Sequence, residues 1–128
     1  MIVKSRFAHY NFNVFDLEKS LDFYKKALNL TEDRRMTAED GSFTLVFLTD
    51  GESPFELELT WLRDWDKPYS LGDNEVHLCM TVYNDYDEVY KYHKENGWVC
   101  YENTSMGLYF IADPDDHWIE IIKPSYTK

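Results

Sequence analysis

Hydrophobic and polar positions alternate along the first stretch of the chain, Arg6 to Phe15. Ala8, Tyr10, Phe12 and Val14 fall on one side, and His9, Asn11 and Asn13 on the other. That period of two predicts a strand with one core face and one polar face. Asp16 then stands where a helix N-cap is expected. Leu17, Leu21, Tyr24 and Leu28 follow at helical spacing, with Lys and Glu between them, so residues 17–28 are read as an amphipathic helix. Strands are expected near 31–38, 42–49 and 54–62, separated by turns at Glu39-Asp40-Gly41 and Asp50-Gly51-Glu52-Ser53-Pro54.

The same order then repeats. In residues 75–83, Val76, Leu78, Met80 and Val82 alternate with His77, Cys79 and Thr81. Asn84 is read as an N-cap, with Asp87 and Glu88 in the first helical turn. Tyr86, Val89, Tyr90 and His93 form a helical stripe that stops at Asn96-Gly97. Strands are expected near 98–102, 107–112 and 117–123, the last two joined by the turn Asp113-Pro114-Asp115-Asp116. Placing His9 on His77 puts Val14 on Val82 and Leu30 on Trp98 without a gap. The fold class is therefore α+β: two tandem βαβββ modules, residues 5–62 and 74–124, with a linker near 63–73, in a single domain spanning 1–128.

Each module opens with a strand bearing a His on its polar face and closes with a strand bearing a Glu. Glu58 shares parity with Glu56 and Thr60, and Glu120 stands between Ile119 and Ile121. A single strand His or Glu is most often a structural or solvated residue. Four such residues at matching positions of a duplicated unit point instead to one divalent transition metal, since two imidazoles and two carboxylates make a suitable donor set. His117 has the opposite parity to Glu120 and is not counted as a ligand, and His93 belongs to the helix stripe.

Charge and composition narrow the partners. A net charge of -11 disfavours nucleic acid and anionic membrane. Hydrophobic residues reach 44% and aromatics 17%, sufficient for a packed core. No run of about 20 apolar residues suggests a membrane span, and the N-terminal residues lack a signal-peptide pattern, so a cytoplasmic location is expected. The two cysteines, Cys79 and Cys100, do not make a disulfide framework and are expected to be small buried thiols.

These residues carry a resemblance. The chain resembles glyoxalase I (lactoylglutathione lyase) of the vicinal oxygen chelate superfamily over nearly its whole length. The likeness rests on His9 followed by Leu17-Glu18-Lys19-Ser20-Leu21-Asp22-Phe23-Tyr24, on Glu58-Leu59-Thr60, on Tyr69-Ser70-Leu71-Gly72 before His77, and on Asp113-Pro114-Asp115 followed by Ile119-Glu120. The helix and Asp-Pro-Asp stretches are shared across the superfamily. The full quartet, Glu-Leu-Thr and Tyr-x-Leu-Gly are more specific to glyoxalase I. The resemblance implies the glyoxalase/bleomycin-resistance/dioxygenase fold, in which the modules form a cupped mixed sheet. It implies that His9, Glu58, His77 and Glu120 bind one Ni²⁺ or Zn²⁺, with Co²⁺ also suitable, and that the reaction turns the thiohemiacetal of a 2-oxoaldehyde such as methylglyoxal into a 2-hydroxyacyl thioester through an enediolate. Glu120 is then the base and Glu58 its pseudo-symmetric partner. Asn11, Asn13, Thr81 and Trp118 are candidate pocket residues, and a homodimer with sites at the interface is the implied assembly.

The chain also departs from its glutathione-using relatives. Asn13 stands where they carry Arg, and Leu62 where they carry Asn. The loop Glu102-Asn103-Thr104-Ser105-Met106-Gly107 is short and has no Lys or Arg. Arg34, Arg35 and Arg63 are the cations available to compensate, although as exposed residues they are first read as solubility charges. Two other readings remain open: a metal-free ligand-binding protein of the antibiotic-sequestering type, with Trp61, Trp65, Tyr69 and Trp118 lining a groove, or an enzyme of the superfamily acting on a different oxygen-chelating substrate. Ring-cleaving dioxygenases use two His and one carboxylate, and epimerases usually carry Gln at the position of Glu58, so the quartet disfavours both.

Overall fold

In a computed structural model, which describes residues 1–126, the chain divides into two compact units, Met1–Tyr69 and Ser70–Lys128. The first runs β1 (His9–Asn13), α1 (Leu17–Leu28), β2 (Thr31–Thr37), β3 (Phe43–Thr49) and β4 (Glu56–Leu62). The second runs β5 (His77–Thr81), α2 (Tyr86–Glu95), β6 (Val99–Asn103), β7 (Leu108–Ala112) and β8 (Trp118–Ile122), followed by a 3-10 turn at Pro124–Tyr126. Both units are βαβββ, and each holds one four-stranded mixed sheet, ordered β1-β4-β3-β2 and β5-β8-β7-β6. The first and last strands of each unit are parallel neighbours. Such a pairing requires a long crossover, here supplied by the helix and the hairpin strands.

In the first unit the core lies on the helix side of the sheet. Phe12 and Leu59 are register partners, as are Val46 and Leu59, and Leu48 and Leu57. All five side chains are buried, together with Val14. Helix α1 closes this face with Ser20, Phe23, Tyr24 and Ala27. The expected stripe of Leu17, Leu21, Tyr24 and Leu28 is therefore rotated: Leu17, Leu21 and Leu28 are only partly buried. Leu and aromatic side chains compete for the same face of an amphipathic helix, and the bulky Phe23 next to Tyr24 takes the central position. Asp16 caps α1 as expected, accepting from the Lys19 amide at 3.1 Å. The helix ends on Asn29 in the left-handed region, φ 54°, a conformation that Asn tolerates better than most residues.

The second unit repeats these devices with small displacements. Gly97, φ 75°, takes the place of Asn29. The N-cap is Asp85, accepting from the Glu88 amide at 3.0 Å, and not Asn84; a carboxylate at the cap also meets the helix dipole better than a neutral amide. Tyr109 and Ile111 pair with Ile121 and Ile119, and all four are buried. His93 is the one buried residue of α2, with its Nδ1 2.8 Å from the Tyr109 hydroxyl. Cys79 and Cys100 are exposed rather than buried. Their strands, β5 and β6, are the two edges of the second sheet, Cys79 lies on the face away from the helix, and Cys100 sits at a register shift between Val99 and Tyr101. Among the described residues no helix is long and apolar enough to cross a membrane.

Candidate metal centre

The parallel pairing of first and last strands brings each His beside its Glu. In the first unit β1 lies against β4 with His9 opposite Glu56 and Asn11 opposite Glu58. His9 Nε2 stands 3.6 Å from Glu58 Oε1. In the second unit β5 lies against β8 with His77 opposite Trp118 and Cys79 opposite Glu120. His77 Nε2 stands 3.3 Å from Glu120 Oε1. The quartet is thus built as two pairs, one in each unit, each on the sheet face turned away from the helix.

Both separations exceed the 2.7–3.2 Å of an ordinary N–H···O hydrogen bond. Ligands about 2.0–2.2 Å from one centre stand about 3.0–3.4 Å apart; the 3.3 Å of the second pair falls in that range, and the 3.6 Å of the first lies slightly beyond it. The carboxylates are mostly enclosed, with Glu58 13% and Glu120 19% exposed at the side chain, whereas the imidazoles are 43% and 41% exposed. The donor chemistry of the two pairs therefore fits a divalent metal.

A phenylalanine packs against each imidazole, a contact the sequence pattern did not reveal. Phe47 is the register partner of Glu58 on the next strand and meets the His9 ring edge-on, centroids 5.4 Å apart. Phe110 is the register partner of Glu120 and meets the His77 ring edge-on at 5.0 Å. The signal was present as an aromatic with the parity of the Glu on the preceding strand of each module. Hairpin lengths differ between modules, so a gapless overlay of the repeats does not align the two Phe.

The candidate pocket residues are placed in the same surroundings. Asn11 donates to Asn13 Oδ1 at 2.8 Å and accepts from the Thr60 hydroxyl at 2.6 Å, so both asparagines are tied into a polar row beside Glu58. Trp118 lies near Phe110 at 5.4 Å and stacks with Tyr101 at 6.1 Å, forming an aromatic patch on the His77 and Glu120 face. Thr81 ends β5 on that same face. The Cys79 thiol lies there too; desolvation and then its contact with the Glu120 carboxylate push its pKa up to about 12, so it stays protonated near neutrality.

The three arginines considered as compensating charge all have carboxylate partners: Arg34 with Glu56 at 3.2 Å, Arg35 with Glu32 at 2.6 Å and Arg63 with Asp64 at 3.1 Å. Elsewhere in the second unit, Asp113, Asp115 and His117 bring ligand-type atoms within 4.8 Å of one another. This group has a structural explanation. Asp113 accepts from the amides of Asp115 and His117 through Oδ1, both at 2.9 Å, and its Oδ2 is 2.8 Å from His117 Nδ1. It is a buried turn lock that launches β8. A separate cleft of about 330 Å³ opens beside α2, lined in part by Tyr86, Tyr90, Glu102, Tyr109 and Lys123.

Comparison with known proteins agrees with this architecture. Residues 6–121 match the family model of the Glyoxalase/Bleomycin resistance protein/Dioxygenase superfamily. A lactoylglutathione lyase of Neisseria meningitidis is 32% identical over 124 residues, spanning 92% of this chain and 90% of that protein. A probable lactoylglutathione lyase of Synechocystis is 32% identical over 94% of this chain and 96% of its own length. Among solved structures, the trypanothione-dependent glyoxalase I of Leishmania major superposes with a TM-score of 0.82 at 27% identity, covering 96% of this chain and 89% of that one.

Proposed function

For a chain that belongs to the Glyoxalase/Bleomycin resistance protein/Dioxygenase superfamily and is lactoylglutathione lyase-like, we propose a metal-dependent lyase that isomerises the thiohemiacetal of a 2-oxoaldehyde and a thiol to a 2-hydroxyacyl thioester. The observation that carries this reading is the matched His–Glu pair on each unit, 3.6 Å and 3.3 Å. His9 and Glu58 with His77 and Glu120 would hold one divalent metal, Ni²⁺ or Zn²⁺, in a cytoplasmic homodimer with its sites at the interface. When bound, the metal supplies Lewis acidity toward the carbonyl and hydroxyl oxygens of the substrate and so acidifies the C–H between oxygen and sulfur.

The side chains do the proton work. Glu120 takes the proton from the carbon bearing hydroxyl and sulfur and returns it to the neighbouring carbon, while the hydroxyl proton passes to the former carbonyl oxygen, so the net reaction moves two hydrogens and changes no overall oxidation state. Glu58 occupies the matching position in the first unit. Phe47 and Phe110 hold the imidazoles in orientation, and the Trp118, Tyr101 and Phe110 patch offers an apolar surface to the aldehyde side chain. The thiol is glutathione or another thiol; a structural neighbour depends on trypanothione.

The test is turnover of methylglyoxal with a thiol panel by metal-stripped protein before and after Ni²⁺ or Zn²⁺ is restored. Thioester formation that appears only with metal supports the reading; none with any thiol overturns it. The aromatic patch around Trp118 also favours a second reading, a ligand-binding protein of the same fold. Tight capture of a bulky apolar ligand by metal-free protein, without thioester formation, would select that one.

A further inference from the structure

The eight strands contain only two cationic residues, Arg34 and Arg35, both in β2. Arg35 is held by Glu32 through Nε at 2.8 Å and Nη2 at 2.6 Å. Arg34 is the one that shares a face with the His9–Glu58 pair, because it is the register partner of Phe47, which is in turn the partner of Glu58. Its guanidinium lies 3.6 Å over the Phe47 ring, the ring that touches His9. Arg34 is therefore the cation in the first sheet best placed to receive an anionic end of a substrate.

That position is already answered from within the chain. Glu56, the register partner of His9, accepts through Oε1 from Arg34 Nη2 at 3.2 Å. The Glu56 side chain is only 16% exposed. Its other oxygen, Oε2, is buried and has no hydrogen-bond partner among the described residues. A buried carboxylate with one oxygen unanswered is a destabilising arrangement. Local features that cost stability concentrate at functional sites.

We propose that Glu56 is a specificity-determining residue that masks Arg34, so that this face accepts a thiol carrying no net negative charge and discriminates against glutathione. The inference rests on the lyase reading above and deepens it. Glutathione brings two carboxylates and one ammonium. Against a chain of net charge -11, a carboxylate of the thiol that reaches this face meets Glu56 and an already paired Arg34 in place of a free cation. Capping both carboxylates as esters removes their charge and leaves the rest of the thiol in place.

The experiment compares S-hexylglutathione with its diethyl ester by calorimetry on metal-loaded protein, and the methylglyoxal adducts of glutathione and its diethyl ester by kcat/KM. The wild type is expected to favour the diester about tenfold in both. Glu56→Gln is expected to tighten S-hexylglutathione about tenfold by unmasking Arg34 while leaving the diester unchanged. That gain should vanish in the Arg34→Gln/Glu56→Gln double variant. Equal or reversed preference in the wild type overturns the proposal, and so does a gain that survives the double variant. If Glu56→Gln fails to fold, the wild-type preference still decides the matter, since an equal or reversed preference overturns the proposal. The two readings fail separately: absence of thioester with every thiol sinks the lyase while calorimetry still reads the charge preference, and efficient metal-dependent turnover of glutathione sinks only the role of Glu56.

Discussion

Phe47 turns its ring edge to His9, the two planes at 83°, and Phe110 repeats the arrangement on His77 at 87°. In both units the Phe belongs to the strand next to the Glu and directly opposite it, so one ring lies beside both the imidazole and the carboxylate. Groups that orient metal ligands typically change affinity 10–100-fold when removed. Phe47→Ala and Phe110→Ala are each expected to weaken Zn²⁺ binding about tenfold, with Phe47→Ala also costing about 3 kcal/mol of stability because that ring is buried. Calorimetric metal titration and urea unfolding separate the two effects. Unchanged affinity in both variants would show that the rings only pack.

Two histidines in the second unit stand near carboxylates, and their surroundings assign them opposite roles. His77 Nε2 is half open and too far from Glu120 for a good hydrogen bond. His117 is buried, with Nδ1 2.8 Å from Asp113. His77→Ala is expected to lower metal affinity by at least about 100-fold with little loss of stability. His117→Ala should keep the metal and lose about 2 kcal/mol. Metal content by elemental analysis after dialysis checks this. Retention by His77→Ala together with loss by His117→Ala would move the centre to the Asp113 turn.

The element order, the repeat and both His–Glu pairs were legible because they rest on parity, and parity is local. His9 and Glu58 face the same way for reasons visible within each strand. The two helices were readable at their ends but less so in orientation. Residues 20, 23, 24 and 27 form the buried side of α1, and of the expected 17, 21, 24 and 28 only Tyr24 belongs to it, because the choice between adjacent apolar stripes depends on which bulky side chain the sheet accommodates. The cap of α2 moved by one residue to Asp85, as either Asn84 or Asp85 satisfies the pattern. Burial of Cys79 and Cys100 failed as an expectation because strand order, which makes β5 and β6 edges, is a tertiary property. The contacts of Phe47 with His9 and of Glu56 with Arg34 depend on cross-strand register and lay beyond a reading of single strands.

The catalytic assignment separates from the structural one at Glu120. Replacing it with Gln keeps an oxygen donor of the same size on the strand but removes a proton acceptor. Glu120→Gln is expected to reduce kcat by about 10²–10⁴. Near-normal turnover by a variant that still carries its metal would eliminate Glu120 as the base and pass the role to Glu58.

Behind the sheet of the second unit, the hydroxyl of Tyr109 meets His93 at 2.8 Å, both residues being buried. Burial, followed by the neighbouring Tyr86 and Tyr90, raises the Tyr109 pKa, so the hydroxyl stays protonated. Tyr109→Phe removes this bond and nothing else. It is expected to cost about 1–2 kcal/mol, read as a lower urea midpoint, while kcat is unaltered because Tyr109 lies on the face opposite Glu120. A fall in kcat without a change in midpoint would contradict that separation.

Glu102 gives the second unit a pH dependence of definite sign. The Tyr90 hydroxyl, and then Lys94, donate to its carboxylate and hold its pKa below the ordinary 4.5. Between the folded and unfolded values the unfolded chain binds more protons at this site than the folded one. The contribution is therefore fully present above the unfolded value, and it is lost as pH falls through the folded one. Glu102→Gln, which keeps the shape and removes the charge, should unfold at lower urea than the wild type at pH 7, and the gap should close at an acid pH below the lowered folded value. Tyr90→Phe should lose the same pH dependence in part, since the remaining Lys94 contact still lowers the carboxyl. A gap between wild type and Glu102→Gln that is the same at both pH values would show that the side chain acts through packing, with its charge contributing nothing.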